Sequence, residues 1–192
     1  MRKLLFIATI FTFLISCKET KSEKNFVLTG NVKGLKNGTL IIQRIKDTVL
    51  VPIDTIKISG DSHFKSEFDL NSPEMLYLFL DRGVTNSLDN NLPFFAEPGM
   101  MNIETSLDFF TSDAKITGSK NQELYDEYKK VTSRFVDKNL SLIQQKFMLY
   151  KDGKTAQMNE IEEQQKDNIK RKYLYTTNFA VNHADYEVAP YV

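Results

Sequence analysis

The spacing of apolar residues changes once along this chain, close to Gly118, and this change constrains the fold more than any other feature. Before Gly118, short apolar runs are separated by turn signals such as Ser59-Gly60-Asp61, and no helical period is sustained. After Gly118, apolar residues recur every three or four positions, as they do on one face of a helix. We therefore expect residues 26–117 to form a β-domain and residues 118–192 to form a helical region.

Several segments of the first region have the composition of short strands, because β-branched and aromatic residues dominate them. The expected strands are residues 26–32, 39–45, 51–58, 63–70, 75–80, 92–97, 100–105 and 114–117. Asn37-Gly38 predicts the first turn, and the apolar run from Met75 to Leu80 predicts a strand that is buried on both faces. Because no helical crossover separates the segments, the expected fold class is mainly β, an antiparallel β-sandwich or partly closed barrel followed by an α-helical hairpin.

The second region predicts two helices joined by a short loop. Ser119 and Gln122 have the spacing of a capping box, and Asp152-Gly153 is expected to end the helix. Between them, apolar residues recur at helical spacing, namely Leu124, Tyr128, Val131, Phe135 and Leu142. A second amphipathic stretch carries Met158, Ile161, Gln165, Ile169, Tyr173 and Ala180 on its expected packing face. We expect the two helices to pair as an antiparallel hairpin that packs on the β-domain or on something beyond it.

Residues 1–16 are expected to be a signal peptide rather than part of the fold. Arg2 and Lys3 form a basic head, and the apolar run from Leu4 to Ile15 is shorter than the roughly 20 residues of a transmembrane helix. This run ends in Leu14-Ile15-Ser16-Cys17, which resembles the lipobox of bacterial lipoproteins. The alternative is an ordinary signal peptide followed by an unmodified cysteine.

The lipobox resemblance implies cleavage between Ser16 and Cys17 and attachment of a lipid to Cys17. A thiolate is a strong nucleophile that can accept a diacylglyceryl group, and two or more acyl chains give stable attachment to a membrane. Residues 17–25 would then be a lipidated, polar tether. Lys18, which would be the second mature residue, implies by resemblance to Gram-negative lipoproteins that the protein lies on the outer membrane and faces the periplasm.

A string of residues with matching order and spacing carries a second resemblance. It comprises Thr29-Gly30-Asn31-Val32, Gly34, Asn37-Gly38-Thr39-Leu40, Asp54-Thr55, Gly60, Phe64, Pro73, Phe94-Phe95-Ala96-Glu97-Pro98-Gly99 and Ile116-Thr117-Gly118-Ser119. Together these residues resemble the N-terminal domain of unknown function that precedes thioredoxin-like domains in Bacteroidota lipoproteins. Those partner domains are related to thiol-disulfide oxidoreductases and peroxidases. The resemblance covers residues 26–130 and implies an all-β accessory domain of the cell envelope.

The resemblance also implies a thioredoxin-like partner, either fused downstream or separate. In the complete proteins that partner carries a Trp-Cys-x-x-Cys site, whereas this chain has 0 Trp and 1 Cys. The chain ends in Val188-Ala189-Pro190-Tyr191-Val192, which is unusually apolar for a solvated terminus. Two interpretations therefore stay open: a complete chain, and a fragment that continues into the thioredoxin-like domain.

Composition excludes several classes of function. The 192 residues include 25 Lys+Arg and 25 Asp+Glu, so the chain lacks the basic excess of a nucleic-acid-binding protein. A single Cys excludes an internal disulfide and a Cys-rich zinc site. His63 and His183 lack the spacing of paired metal ligands, so we expect isolated surface histidines. We expect no cofactor, because the glycines do not form a phosphate-binding loop that opens a helix.

The acidic residues show no catalytic or metal-binding pattern. Asp54, next to Thr55, is expected to point outward or to make a strand-end hydrogen bond, because no base or nucleophile accompanies it. Glu97 lies in a Glu-Pro-Gly segment with the composition of a turn. Three further acidic residues are too scattered for a calcium loop, namely Glu104, Asp108 and Asp113.

Three apolar doublets are the remaining sign of an interaction site. They are Phe94-Phe95, Met100-Met101 and Phe109-Phe110. In a strand, one member of a doublet faces inward and the other outward, so most of these residues are expected in the core or at a covered edge. An exposed set of them would instead form a surface for a partner.

Three hypotheses about function follow. The first is a non-catalytic, lipid-anchored accessory or interaction domain associated with thioredoxin-like proteins. The second is the N-terminal part of a membrane-tethered thiol-disulfide oxidoreductase whose active-site domain lies beyond residue 192. The third is a β-sandwich lipoprotein that binds a small ligand of unknown identity. As it stands, the chain is expected not to be an enzyme.

Overall fold

The computed structural model describes residues 23–83 and 88–192, which form a β-sandwich followed by a helical hairpin. The strands are β1 (Phe26–Lys33), β2 (Asn37–Lys46), β3 (Val49–Ser59), β4 (His63–Phe68), β5 (Glu74–Asp81), β6 (Asn91–Ala96), β7 (Gly99–Ser106) and β8 (Lys115–Thr117). The helices are α1 (Lys120–Lys151) and α2 (Met158–Asn182), and short 3-10 turns lie at Leu88–Asn90 and Thr155–Gln157. Every segment predicted as a strand corresponds to an observed strand.

The strands form two four-stranded sheets with the orders β4-β1-β7-β8 and β3-β2-β5-β6. Within the described residues neither sheet closes on itself, so the fold is a sandwich rather than a barrel. One pair, β1 with β7, is parallel, with Phe26 opposite Gly99 and Lys33 opposite Ser106. The sequence did not predict this pair, because a parallel connection was expected to need a helix. Between β1 and β7 the chain runs through the strands of the opposite sheet, and those strands take the place of a crossover helix.

The sandwich core consists of apolar side chains from the inner faces of the two sheets. Its fully buried members include Phe26, Leu28, Val32, Leu40, Ile42, Leu76, Leu78, Leu80, Phe94, Met101 and Ile103. Each large apolar side chain contributes roughly 1.5–3 kcal/mol when it is fully buried, so this core supplies most of the favourable free energy of folding.

The outer face of β5 is also covered, as the sequence predicted. Leu76 and Leu78 point into the sandwich, whereas Met75 and Tyr77 point to the other side, because side chains alternate along a strand. Met75 and Tyr77 pack against the helices in a second, smaller apolar cluster. The molecule therefore has three layers at this point: two sheets and the base of the hairpin.

The predicted turn at Asn37-Gly38 is wrong, because both residues begin β2. The turn lies earlier, at Gly34, whose φ of 91° is accessible to glycine because it has no Cβ atom. The backbone N–H of Leu35 donates to the carbonyl of Val32 there, at 2.9 Å. Turn chemistry predicted a turn in this region correctly but placed it three residues too late.

Helix α1 begins where the sequence predicts it. The Ser119 Oγ accepts a hydrogen bond from the Gln122 backbone N–H at 3.0 Å. The Gln122 side chain, however, does not return to Ser119 as in a capping box. Its Oε1 instead accepts from the Phe95 N–H at 2.6 Å, on the free side of the edge strand β6. The helix ends at Asp152 and Gly153, as predicted.

Candidate functional site

The base of the hairpin is fixed to the sandwich by Glu97, which lies at the N-terminus of α1. Its carboxylate accepts hydrogen bonds from the Ser119 Oγ at 2.9 Å and from the Asn121 backbone N–H and Nδ2 at 3.2 and 3.3 Å. Partial burial by itself would raise the pKa of Glu97, but these donors outweigh it and hold the pKa below its ordinary value. The negative charge is also stabilised by the helix dipole. Glu97 therefore acts as a cap that joins the sandwich to α1.

An aromatic cluster covers the outer face of the second sheet beside this cap. The ring of Tyr191 lies edge-on to the rings of Phe95 and Tyr125, with 5.8 Å between centroids in each pair. Burial raises the pKa of Tyr191, and a hydrogen bond with Tyr77 acts in the same direction. The phenol therefore stays protonated at neutral pH, and the cluster is a packing feature without an activated nucleophile.

The two helices meet along one apolar seam that contains buried polar residues. Leu142 is buried in it, and the Nδ2 of Asn168 donates to the carbonyl oxygen of Phe135 on the facing helix at 2.8 Å. The hydroxyls of Tyr128 and Thr176 lie 3.0 Å apart across the same seam. Such specific contacts fix the register of two helices, since a shifted register would leave these groups unpaired.

The hairpin extends well beyond its base. The α1 residues that pack on the sheet, Leu124, Tyr125 and Tyr128, all lie in the first three turns of the helix. From Tyr128 to Lys151 the helix continues for about 35 Å at a rise of 1.5 Å per residue. The far part of the hairpin is thus built from α1 and α2 packed against each other.

A second apolar stripe runs along this far part of α1 and faces solvent. Its members follow a 4-3-4-3 spacing and are between 48% and 66% exposed: Val136, Leu140, Ile143, Phe147 and Tyr150. This is the spacing of residues that pack between helices. The stripe is therefore typical of a helix surface that a further helix covers.

The same side of the hairpin carries apolar residues of α2. A groove of about 400 Å³ lies between the helices and is lined by Ile143, Lys146, Phe147, Tyr150, Met158 and Gln165. Ile169 and Tyr173 follow Gln165 at intervals of four residues, so they lie on this side as well. We call the following seven residues the distal face: Val136, Leu140, Ile143, Phe147, Tyr150, Ile169 and Tyr173.

The opposite side of the hairpin is mainly polar. A groove of about 540 Å³ there is lined by Ser141, Gln144, Gln145, Asp152, Gln157, Glu160 and Gln164, with Met148, Leu149 and Ile161. Of the nine exposed large apolar residues between positions 136 and 174, seven form the distal face, whereas Met148 and Leu174 lie outside it. An uneven distribution of this kind makes the distal face the candidate interaction surface of the described residues.

With the sandwich and the hairpin described, the chain can be compared with known families. Residues 26–125 match the sequence profile of a family described as a domain of unknown function, DUF4369. The chain belongs to this family. The match confirms the predicted resemblance to an N-terminal domain of unknown function, whereas association with a thioredoxin-like domain stays a prediction. A comparison with curated proteins finds no match to the chain.

The DUF4369 match includes the whole sandwich and the start of α1, and it ends at Tyr125, before the distal face. The Glu97 cap and its donors therefore lie within the family domain. The far part of the hairpin lies beyond the matched residues. Ser16 and Cys17 lie outside the described residues, so cleavage and lipid attachment stay predictions.

Asp54 of the DUF4369 domain has a structural role. Its carboxylate accepts hydrogen bonds from the Thr55 N–H at 2.7 Å and from the Ser66 hydroxyl. Because β3 and β4 belong to different sheets, the contact with Ser66 links the two layers at the edge of the sandwich. A hydrogen bond of Asp54 was expected, but at a strand end, whereas Asp54 lies in the middle of β3.

The two histidines lie in different parts of the molecule. His63 is exposed at the start of β4, with its Nδ1 2.7 Å from the Asp61 carboxylate. His183 follows α2 and lies 4.5 Å from Phe179 between ring centroids. Among residues 23–83 and 88–192, no group of three or more His, Cys, Asp or Glu is arranged to hold a metal ion.

An open, polar depression lies beside the ends of β1 and β7. Its volume is about 660 Å³, and its lining includes Lys33, Glu104, Asp113 and Lys115. The Asp113 carboxylate accepts from the Ser106 hydroxyl at 2.6 Å. Charges of both signs and a wide opening distinguish this depression from the enclosed, mostly apolar pockets that bind small ligands tightly.

The apolar doublets do not form a common surface. Phe94, Phe95, Met101 and Phe110 are buried, as expected for core residues. Met100 is 71% exposed and Phe109 is 63% exposed, but these residues lie at the start of β7 and after its end.

The sequence therefore indicated the apolar doublets as the candidate surface and did not indicate the distal face. The signal that could have identified this face is the second stripe of α1, because Ile143 directly follows the seam residue Leu142. Two parallel stripes on one helix indicate two packing partners, and the hairpin supplies only one of them.

No helix among residues 23–83 and 88–192 is both long enough and apolar enough to cross a membrane.

Proposed function

We propose that this chain is a non-catalytic interaction domain that a lipid on Cys17 attaches to the cell envelope. The observation that carries the interaction role is the distal face, a continuous apolar surface on one side of a projecting hairpin. Exposed apolar patches on soluble domains are usually small unless they bind a partner.

The sandwich and the base support this role by holding the hairpin in place. The Glu97 cap and the hydrogen bond from Phe95 to Gln122 connect α1 to β6 and to the turn after it. The aromatic cluster around Tyr191 adds apolar burial at the same joint. The distal face therefore has a defined position relative to the sandwich, and its binding requires little ordering of the hairpin itself.

The sequence supports attachment to the envelope. Leu14-Ile15-Ser16-Cys17 has the order of a lipobox, and residues 18–25 have the polar composition of a tether that would join a lipid anchor to the folded domain. We propose the outer membrane, with the domain facing the periplasm, because Lys18 follows the lipidated residue.

The partner class implied by the family resemblance is a thioredoxin-like domain, fused or separate. The reading frame after Val192 distinguishes two forms of this proposal. An open frame that leads into Trp-Cys-x-x-Cys would make the chain the N-terminal part of a thiol-disulfide oxidoreductase. A stop codon would make it a separate accessory protein.

The test of the anchor uses the full chain in a Gram-negative host. We expect the protein in the outer-membrane fraction, with an N-terminal peptide whose mass corresponds to a lipidated Cys17. Cys17→Ser should abolish lipidation, whereas Ser16→Ala, which keeps a small residue before the cysteine, should not. An unmodified Cys17 with residues 1–16 still attached would contradict the proposal.

A further inference from the structure

We propose that the distal face is covered by a second copy of this chain, so that two hairpins form a four-helix bundle around a two-fold axis. This inference rests on the proposed interaction role and names the partner of the distal face. It does not depend on the lipid or on a thioredoxin-like domain.

The angle between the two stripes on each helix supports a four-helix bundle. On α1 the seam residue Leu142 and the distal residue Ile143 are consecutive, so their directions differ by 100°. The same holds on α2 for Asn168 and Ile169. A helix in a hairpin needs one apolar stripe, whereas a helix in a four-helix bundle contacts two neighbours at about a right angle.

The spacing of the stripe suits packing against another helix. In α1, intervals of four and three residues separate Val136, Leu140, Ile143, Phe147 and Tyr150. This heptad pattern places each side chain in a hole formed by the facing helix. A second copy of the same stripe provides matching holes, and a two-fold axis allows each copy to make the same contacts.

Charges at the edge of the stripe favour an antiparallel arrangement of the two α1 helices. Asp137 and Lys151 flank the stripe on the side away from α2, near its two ends. A two-fold axis near Ile143 would place Asp137 of one copy opposite Lys151 of the other. It would also leave the two sandwiches at opposite ends of the bundle, where they do not obstruct each other.

The size of the distal face is sufficient for a stable dimer. The exposed fractions of its seven side chains, between 48% and 69%, correspond to roughly 700–800 Å² of accessible surface. One partner in a standard-size interface contributes about 800 Å². Lipid is the weaker alternative, because the rim carries Asp137 and Glu162 as well as lysines, whereas membrane-binding faces are predominantly basic.

The first test measures self-association of residues 18–192, which contain every strand and helix of the described structure. We expect sedimentation equilibrium to show a monomer–dimer equilibrium. Leu140→Glu with Phe147→Glu should raise the dissociation constant about 30-fold or more, as the loss of a buried anchor does. Both positions are exposed in the single chain, so far-UV circular dichroism should show unchanged helix content.

Met148→Glu is the matched control, since Met148 is 62% exposed on the same helix but lies on the polar side. This variant should dimerise like the unmodified chain. A chain that stays monomeric at micromolar to millimolar concentrations overturns the proposal. A dimer that the double variant leaves unchanged also overturns it, as does a monomer that binds lipid vesicles through the distal face.

A second test examines how the two copies are arranged in the proposed dimer. Residues 18–192 contain no cysteine, so a single introduced cysteine reports on one position. Ile143→Cys lies near the proposed axis and should form an intermolecular disulfide under mild oxidation, whereas Met148→Cys should not. Asp137→Lys should weaken the dimer, and adding Lys151→Asp should restore it. Fractionation of the Cys17 variants is independent of all these readouts, so a monomeric result would leave the proposed anchor intact.

Discussion

The β-sandwich and the helical hairpin use apolar residues differently. Leu78 of the sandwich is 0% exposed, whereas Leu140 of the hairpin is 55% exposed. Each sheet has one apolar inner face, and the two faces cover each other except near the β2–β3 turn, where Ile45, Val49, Leu50 and Val51 are 37–62% exposed. Each helix has two apolar stripes, and pairing the helices covers only one of them. Most apolar side chains of the sandwich are therefore buried within one chain, whereas the second stripe of the hairpin is exposed in it.

The joint between the two regions should show the largest effect of a single substitution. Gly118 has a φ of 98°, and a Cβ atom there would lie 2.2 Å from the carbonyl oxygen of Met100. Gly118→Val combines an unfavourable backbone conformation with a clash against backbone, so we expect the free energy of unfolding to fall by about 4 kcal/mol. Urea denaturation followed by circular dichroism would measure this.

Gly153 provides the control for this prediction. Its φ of 70° is also positive, but a Cβ atom there would have no heavy atom within 4 Å. Gly153→Val should therefore show only the conformational part of the loss, about 1–2 kcal/mol. Equal losses at both glycines would mean that the close contact at Gly118 is not needed.

The next largest loss of stability is expected at Leu78 of the sandwich, and Leu140 of the hairpin is its comparison. Leu78→Ala removes a side chain from the sandwich core and leaves a cavity, so we expect a loss of about 2–5 kcal/mol in the free energy of unfolding. Leu140→Ala should change the stability of the monomer by no more than about 0.5 kcal/mol. Measurements at low protein concentration keep the monomer populated. A large loss for Leu140→Ala under those conditions would show that the distal face packs within one chain.

The sequence predicted the strands and helices well, because local residue patterns determine them. Short apolar runs between turn signals predicted each strand, and Ser119 and Gly153 marked the two ends of α1. The parallel pairing of β1 with β7 was missed, because pairing between strands so far apart in the chain is decided by sandwich topology rather than by local pattern. Glu97 was interpreted as part of a turn, because only the fold brings it to the N-terminus of α1.

The candidate site illustrates the same limit. Helical spacing identified the seam residues Tyr128, Phe135 and Leu142 of α1 correctly. On α2 it selected Ile169 and Tyr173, which the structure leaves exposed, and it missed the buried Asn168. The distal face could be separated from the seam only once the position of α2 was known, since the position of α2 decides which stripe is covered. The lipobox, by contrast, is a purely local signal, and it can be tested without any structure.

The buried amide in the hairpin seam should have a moderate effect. Asn168→Ala removes the hydrogen bond to the Phe135 carbonyl, and we expect a loss of about 1 kcal/mol in the free energy of unfolding. Asn178→Ala, at an exposed position of the same helix, should have almost no effect. Asn168→Leu should recover stability but loosen the register of the helices, which cysteine pairs across the seam would detect. A fixed register in Asn168→Leu would assign register control to the apolar seam alone.

The smallest effect is expected at the Glu97 cap, and it should depend on pH. The folded protein holds the pKa of Glu97 below the ordinary value of 4.5, so the charged carboxylate stabilises the fold above that pH. This stabilisation is lost as the pH falls through the folded pKa, because the protonated group accepts the hydrogen bonds of α1 less well. Glu97→Gln should cost about 1 kcal/mol or less at pH 7.

The pH profile separates this charge effect from a general loss of packing. The difference in free energy of unfolding between the unmodified chain and Glu97→Gln should be constant near neutral pH and should shrink below about pH 4.5. Glu123→Gln, in the first turn of α1 but paired only with Lys120 at the surface, should cost less than Glu97→Gln. A difference that stays constant down to pH 3 would mean that the shape of the Glu97 side chain, and not its charge, joins the sandwich to the hairpin.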